Sequence, residues 1–338
     1  RILESSYPSQ KGEKDKSFHV LSNPEFLSEG SAINDLQNPD RILIGGESQE
    51  AIMALNDIYK NWVPEEKILH TNIWSSELAK LTANAFLAQR ISSINSISAL
   101  CEATGADVRE VARAIGSDKR IGSRFLDSGP GFGGSCFKKD ILNLVYLSNH
   151  FGLTEVANFW ASVVELNNWN QFRLSNLIVK TLFGTVCGKK IYILGFSFKA
   201  NTNDTRESAA LNICKNLLEE GAFLKIHDPK VEPRQIELDL NSKPLIEPEN
   251  IQSVSDMSHY EGRWSFSKDI YDGFNEADAA VILTEWEVYS KLDWQLIAKS
   301  MRHPAWIFDS RSIVDANKVK KTKLNFWRVG DGSIQNIY

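Results

Sequence analysis

The sequence predicts an α/β protein in which a long central helical region leads into a doubly wound domain built on a parallel sheet. Three observations predict it. Between about Ser75 and Leu100 apolar residues recur at helical spacing with no stop before Gly105, roughly double the usual helix of about 11 residues. From Lys189 onward, apolar strand-like runs alternate with helical ones. Between these regions a glycine-rich run, Gly131 to Gly134, leads to a lone cysteine, Cys136.

In chain order, Arg1 stands where a start methionine would, and Ser6 to Lys16 is polar, so the opening reads as the middle of something longer, or equally as a processed terminus. Phe18 to Gly46 reads strand, loop, short helix, strand, the last being Arg41 to Gly46. Its loop carries Glu25 and Glu29, which suit acid–base work or hydroxyl binding and would be equally ordinary at the start of a solvated helix. A helix follows from about Gln49 to Trp62. In the long helix Leu78, Leu81, Ala85, Ala88 and Ile91 form one stripe, with Phe86, Ile94, Ile97 and Leu100 round the sides, as expected of a spine or an oligomer interface. Lys80 and Asn84, four apart, share a face.

Asp107 caps a shorter helix ending at Gly116, and the loop that follows holds Arg120 and Arg124. Ser135 is then expected as the N-cap of the next helix, with Cys136 in its first turn. Unpaired N–H groups at a helix start favour negative charge, so Cys136 is a nucleophile candidate, against the plainer alternative of a small buried hydrophobe. Asp140 lies one turn further on the same face. That helix stops at Gly152, and Thr154 is expected to cap another running to Gly184.

Lys189 to Gly195, Ser208 to Glu220 and Phe223 to His227 make one right-handed βαβ unit. Ala279 to Leu283 is a third strand, Asp293 to Met301 a helix, and Trp306 to Phe308 a fourth strand ending at Asp309-Ser310-Arg311. Ligands of such sheets bind beyond the strand ends, which places Phe198-Lys199, Asp204-Thr205-Arg206 and Arg311 on the binding edge. No strand here runs into a GxGxxG turn, so the sequence carries no fingerprint for dinucleotide binding.

Composition narrows the function classes. The 338 residues are 42% hydrophobic and 24% charged, enough for two or three domains with large cores. A net charge of −5 without long runs of one sign argues against nucleic acid or an acidic membrane surface as partner. The four cysteines are widely spaced, which suits a reducing, cytoplasmic setting and argues against metal ligation. No apolar run reaches the roughly 20 residues of a membrane span, and no signal peptide opens the chain.

Four separated stretches resemble, in this order, the UDP-glucose 6-dehydrogenase family: Asn23-Pro24-Glu25-Phe26-Leu27-Ser28-Glu29-Gly30, Lys80 to Phe86, Gly131 to Asp140, and Phe198-Lys199 with Asp204-Thr205-Arg206-Glu207-Ser208. The resemblance covers nearly the whole chain. It implies residues 1–70 as the last portion of a Rossmann-type NAD-binding domain, most of which the sequence does not contain, 71–184 as a helical dimerisation domain carrying the cysteine loop, and 185–338 as a Rossmann-like UDP-sugar domain. Ala200-Asn201 and the non-basic Asp127 depart from the family's pattern.

What the resemblance implies is a four-electron, NAD-dependent oxidation of UDP-glucose to UDP-glucuronate through a thiohemiacetal and thioester on Cys136. Lys80, Asn84 and Asp140 would hold the oxyanion and a water, and Glu25 would be the base for hydrolysis. Substrate contacts would come from Glu25, Phe26, Leu27, Glu29, Lys80, Asn84, Phe125, Phe132, Gly133, Phe137, Lys199 and Arg311, with Arg120 reaching across from a neighbouring subunit of a homodimer. Cofactor contacts would come from Glu29, Cys136, Lys139 and Arg206. Three alternatives stand beside this reading. One is a nucleotide-sugar-binding fragment or pseudoenzyme without turnover, the expectation for the chain on its own; another is a dehydrogenase for GDP-mannose or UDP-N-acetylmannosamine. A cysteine hydrolase is disfavoured because none of the six histidines lies beside the glycine loop.

Overall fold

Two apolar strands that hide both faces, Ile42–Gly46 and Lys190–Leu194, lie inside two separate sheets. The computed structural model describes residues 18–245 and 262–333, so the polar opening from Ser6 to Lys16 lies outside the described residues. Its contacts divide the chain into two units, Arg1–Asn84 and Ala85–Tyr338.

In the first unit, β1 (Leu21–Ser22) runs antiparallel to β2 (Ile42–Gly46), which pairs in parallel with β3 (Ile68–Thr71). Ile42, Ile44, Ile52, Val63 and Ile68 form the core. Helix α1 (Ala32–Gln37) buries none of its residues, whereas α2 (Gln49–Tyr59), capped by Ser48 accepting from the Ala51 N–H, lays Ile52 against the sheet. Helix α2 stops before the expected Trp62 because the Trp62 and Val63 N–H groups both turn back to the Tyr59 carbonyl. Strand β3 has no apolar run to announce it, since two of its four residues are exposed.

Helix α3 (Ile73–Thr104) begins in the first unit and ends in the second. Ala85, Ala88, Ile94 and Cys101 are buried along it, but Leu78, expected in the buried stripe, is 49% exposed, and Phe86 and Leu100 are more exposed still. Helix α4 (Val108–Gly116) follows with Asp107 as the expected N-cap, accepting from the Arg109 N–H. Helix α5 (Phe137–His150) and α6 (Thr154–Thr181) pack together, and α6 also packs on α7 (Ala209–Glu219).

Two expected caps are corrected. The first helical bond of α5 runs from the Asp140 N–H to the Cys136 carbonyl, so Cys136 itself is the N-cap and Ser135 belongs to the loop. Likewise Ala157 donates to Leu153, which makes Leu153 the N-cap of α6 and Thr154 its first helical residue.

The second sheet holds β4 (Lys190–Leu194), β5 (Phe223–His227), β6 (Arg263–Phe266), β7 (Ala279–Ile282), β8 (Trp306–Asp309) and β9 (Asn325–Arg328), all parallel. Spatial order is β6-β5-β4-β7-β8-β9, the doubly wound order whose direction reverses between β4 and β7. Strands β6 and β9, and helix α8 (Pro233–Leu240), add to the elements expected from the sequence. One face of the sheet packs against α6 and α7 through Leu174, Ile178, Ile213 and Leu217; the other is covered through Phe274, Tyr289, Trp294 and Ile297.

The end of the described chain closes back on the C-terminus of α3. Glu102, buried, accepts from the Gly330 N–H at 2.8 Å and pairs with Arg173 at 2.7 Å. The Val108 N–H donates to the Gly330 carbonyl and the Gly332 N–H to Ala106, each at 2.8 Å.

Candidate active site

In the first unit, the segment after β1 is anchored before it becomes polar. Asn23 donates to the Leu43 carbonyl at 2.8 Å and accepts from the Tyr59 hydroxyl at 2.7 Å, which ties the segment to β2 and α2 at once. The Ser76 hydroxyl, fully buried, reaches the Ser22 carbonyl at 3.2 Å and docks the first turns of α3 on the end of β1. One turn further along, Lys80 therefore meets Glu25, Nζ to Oε1 at 3.0 Å, while the other carboxylate oxygen takes the Leu27 N–H at 2.6 Å. Phe26 lies under the Arg41 guanidinium at 3.8 Å and near the Lys80 ammonium at 5.6 Å. Leu27 and Glu29 are exposed, and Asn84, one turn beyond Lys80, is buried. The structure thus brings together Glu25, Phe26 and Lys80, although Glu25 and Lys80 stand 55 positions apart and the sequence could only name them separately.

In the second unit, the loop before Cys136 has no secondary structure to satisfy its peptide groups. Buried amides do so instead. Asn95 accepts from the Gly129 N–H at 2.8 Å, Asn170 donates to its carbonyl at 2.9 Å, and Asn167 bridges both peptide groups of Phe132 at 2.8 and 3.2 Å. Gly131, at φ +139°, has no room for a side chain, because a Cβ would lie 2.7 Å from the Asn167 oxygen. Phe132 and Phe137 then meet edge to face at 5.9 Å, on either side of the cysteine in sequence. Cys136 is half-buried, with the Ser135 hydroxyl 3.5 Å from its sulfur. Asp140, one turn on, is buried, Gly133 is half-buried and Lys139 is exposed.

At the sheet, the turn after β4 is gathered by one carboxylate. Asp228 is buried and accepts from six donors: the Phe196 and Ser197 N–H groups, the Ser197 hydroxyl and the Trp286 indole on one oxygen, and the Lys230 and Val231 N–H groups on the other. The turn delivers Phe198 and Lys199 beside Arg311, whose guanidinium donates to the Leu283 carbonyl at 2.8 Å and to Phe198 at 3.2 Å and pairs with Glu285 at 3.2 Å. Beside it opens a cleft of about 660 Å³ lined by Arg109, Arg113, Asp127, Ser128, Glu285 and Arg311. Val108, Ala112, Leu126 and Ile313 make much of its wall apolar, so this strand-end cleft suits a ligand with an anionic part beside a less polar one.

Two predicted residues lie on a separate loop. Arg120 is 89% exposed and paired with Asp118, whose carboxyl it holds below the usual carboxylate range. Phe125, at φ +62°, ends a segment stapled by Arg90, which donates to the carbonyls of Ile121, Gly122 and Arg124. Arg90, the three asparagines and Asp228 carry no signal in the sequence; a polar residue on a helix reads as solvent-facing until a loop folds over it.

The residues present fit an anionic cofactor. Arg206 presents a guanidinium 64% exposed, oriented by Asp204 at 2.8 Å, and the Gly134 N–H donates to the Arg206 carbonyl. Gly134 is buried against Phe198, where at φ +84° a Cβ would press on its ring at 3.0 Å, so the loop packs closely on this turn. Among the described residues no helix is long and apolar enough to cross a membrane, and no group of three or more His, Cys, Asp or Glu could hold a metal ion.

Comparison with known proteins gives matches along most of the chain. Three domain models of the UDP-glucose/GDP-mannose dehydrogenase family match it: the NAD binding domain over residues 2–63, the central domain over 74–169 and the UDP binding domain over 192–316. It is 55% identical over 300 residues to UDP-glucose 6-dehydrogenase of Gallus gallus, covering 88% of this chain and 59% of the relative. To the Drosophila melanogaster enzyme of the same name it is 52% identical over 318 residues, 93% of this chain and 65% of the relative. A solved UDP-glucose dehydrogenase from Pyrobaculum islandicum superposes with a TM-score of 0.76 at 29% identity, over 93% of this chain and 64% of that one. The chain therefore spans about three-fifths of the length of the curated relatives it matches.

Proposed function

This chain belongs to the UDP-glucose/GDP-mannose dehydrogenase family, and from that premise we propose that it supplies the substrate-handling and thiol chemistry of a UDP-glucose 6-dehydrogenase. The observation that carries the reading is the loop from Gly129 to Phe132, pinned by three buried amides, that delivers Cys136 to the start of α5 with Asp140 one turn away.

The sugar's primary alcohol is oxidised in two two-electron steps. When bound, NAD accepts the hydride of each, so two equivalents are reduced per sugar. Arg206, Lys139 and Glu29 are the residues assigned to hold it. After the first step the Cys136 thiol adds across the aldehyde C=O, its sulfur to the carbon and its proton to the oxygen, giving a thiohemiacetal. Loss of the second hydride together with the hydroxyl proton leaves a thioester; water, giving up a proton, attacks its carbon and displaces the sulfur as thiolate, leaving the carboxylate. Lys80 and Asn84 are assigned to the developing oxyanion, Asp140 to the water, and Glu25 to removal of its proton. The Lys80–Glu25 contact at 3.0 Å supports that assignment, because it holds the oxyanion donor and the base side by side.

UDP-glucose is assigned to the strand-end edge, with Lys199 and Arg311 on its phosphates and ribose. Phe132, Gly133, Phe137, Phe26, Leu27 and Phe125 shape the sugar site. Arg120, almost fully exposed, is suited to reach a neighbouring subunit's ligand. Exposed Phe86 and Leu100 on α3, with Phe159 and Phe172 on α6, support a homodimer built on these helices, and four free cysteines suit the cytoplasm. The division at residues 70 and 184 follows the same reading.

The test is turnover by the complete native protein. Two NADH per UDP-glucose are expected, with Cys136→Ala abolishing the second and sparing UDP-glucose binding. Equal or better turnover of GDP-mannose or UDP-N-acetylmannosamine would reassign the substrate. A Cys136→Ala protein that still forms two NADH would remove the thioester route.

A further inference from the structure

The cysteine loop is fastened to the doubly wound domain at two points that straddle Cys136. Two residues before it, the Gly134 N–H donates to the Arg206 carbonyl at 2.8 Å; two residues after it, the Lys138 ammonium pairs with Glu207 at 2.7 Å. Both partners sit on one turn, Asp204 to Glu207, which is itself tied to Phe198 through the Phe198 N–H and the Asp204 carbonyl at 3.0 Å. Contact between loop and turn is backbone to backbone. A Cβ on Gly133 would lie 2.5 Å from the Glu207 carbonyl oxygen and 2.9 Å from the Phe198 Cβ.

Glu207 adopts φ +53°, a conformation that glycine accepts and glutamate resists. Its ion pair is partly exposed, with side-chain exposures of 34% for Lys138 and 44% for Glu207, so it adds little to folding stability. Glycine would relieve the backbone but could not reach Lys138. The Glu207 side chain thus holds the first turn of α5 at a backbone cost that its weak contribution to folding does not offset.

We propose that Glu207 is a positioning residue: through Lys138 it fixes the start of α5, and with it the Cys136 sulfur, to the turn that carries Arg206. The inference rests on Cys136 as nucleophile and Arg206 as a cofactor contact. Its content is that the two move together, so that whatever seats Arg206 also aims the sulfur.

Alkylation by iodoacetamide, read peptide by peptide by mass spectrometry across pH, tests this without turnover. Half-buried Cys187 is the internal reference. Glu207→Ala and Lys138→Ala are expected to change the high-pH plateau rate at Cys136 by about threefold or more, since reactivity follows access as well as thiolate fraction. Glu207→Gln, which keeps a hydrogen bond, should fall between, and Glu207→Lys combined with Lys138→Glu should bring the rate back. Cys187 should not respond. A plateau that no variant moves overturns the proposal, and so does a change confined to the pH midpoint, which would make Lys138 only a nearby charge. If Cys136 in the unaltered chain reacts no faster than buried Cys214, the nucleophile reading falls and takes the proposal with it; a reactive Cys136 indifferent to Glu207 removes the clamp alone.

Discussion

The loop before Cys136 and the turn after β4 are both irregular, both near the proposed chemistry, and held in opposite ways. Neutral amides hold the first: Asn95, Asn167 and Asn170 stand in for strand partners, each giving or taking a hydrogen bond from the peptide groups of Gly129 and Phe132. A single carboxylate holds the second, with Asp228 collecting six donors. An amide can both donate and accept, so it serves where a loop exposes N–H and C=O together. A carboxylate only accepts, and suits a tight turn whose N–H groups converge. The first device carries no charge; the second depends on a buried one.

Removing the carboxylate sharpens that contrast most. Asp228→Ala leaves buried N–H groups of Phe196, Ser197, Val231 and Trp286 without an acceptor, and the expected loss is about 3–5 kcal/mol of unfolding free energy in urea titration. A loss below about 1 kcal/mol would mean that water replaces the carboxylate and that the two devices are equivalent. Asn167→Ala is the matching change in the loop, expected to lose about 2 kcal/mol, and Asn167→Asp should recover only part because it cannot donate to the Phe132 carbonyl. Equal stability of the Asp and Asn forms would break the claim that two-way bonding matters.

The smallest effect concerns pH. Burial holds the His227 imidazole below the ordinary histidine range, against the opposing pull of Asp228 and Asp269, and Tyr289 meets its Nδ1 at 3.0 Å. The folded form is therefore the weaker base. On unfolding, His227 takes up a proton below about pH 6.5, so its contribution falls as pH drops from there toward the folded value and is constant above. Thermal midpoints measured between about pH 7 and 5 should decline less for His227→Gln than for the parent chain. An unchanged decline would place the acid sensitivity elsewhere.

What the sequence disclosed depended on how local the cause was. The Asp107 cap, the helix starts near Ser208 and Asp293, and strands β4, β5, β7 and β8 rest on neighbouring residues and were legible. Strands β3, β6 and β9 lie at the edges of their sheets and carry polar residues (His70, Arg263 and Asn325 among them), so nothing local marks them as strands. Ser135 looked like a cap by residue type, but the loop's tether at Gly134 hands that role to Cys136. Of the candidate site, the motif residues could be named in advance. The groups that aim them, Arg90, Asn95, Asn167, Asn170 and Asp228, could not, because each acts on a segment more than 30 residues away in sequence.

The bond between Glu102 and Gly330 spans 228 positions. Closing so long a segment is entropically costly and postpones the last step of assembly. During synthesis, the C-terminal end of α3 would leave the ribosome long before its acceptor found a donor, with Arg173 as its interim companion. A nonsense mutation at Gly330 would spare every strand of the second sheet and still leave a nascent chain with an unlatched helix, a target for quality control although its sheet was complete.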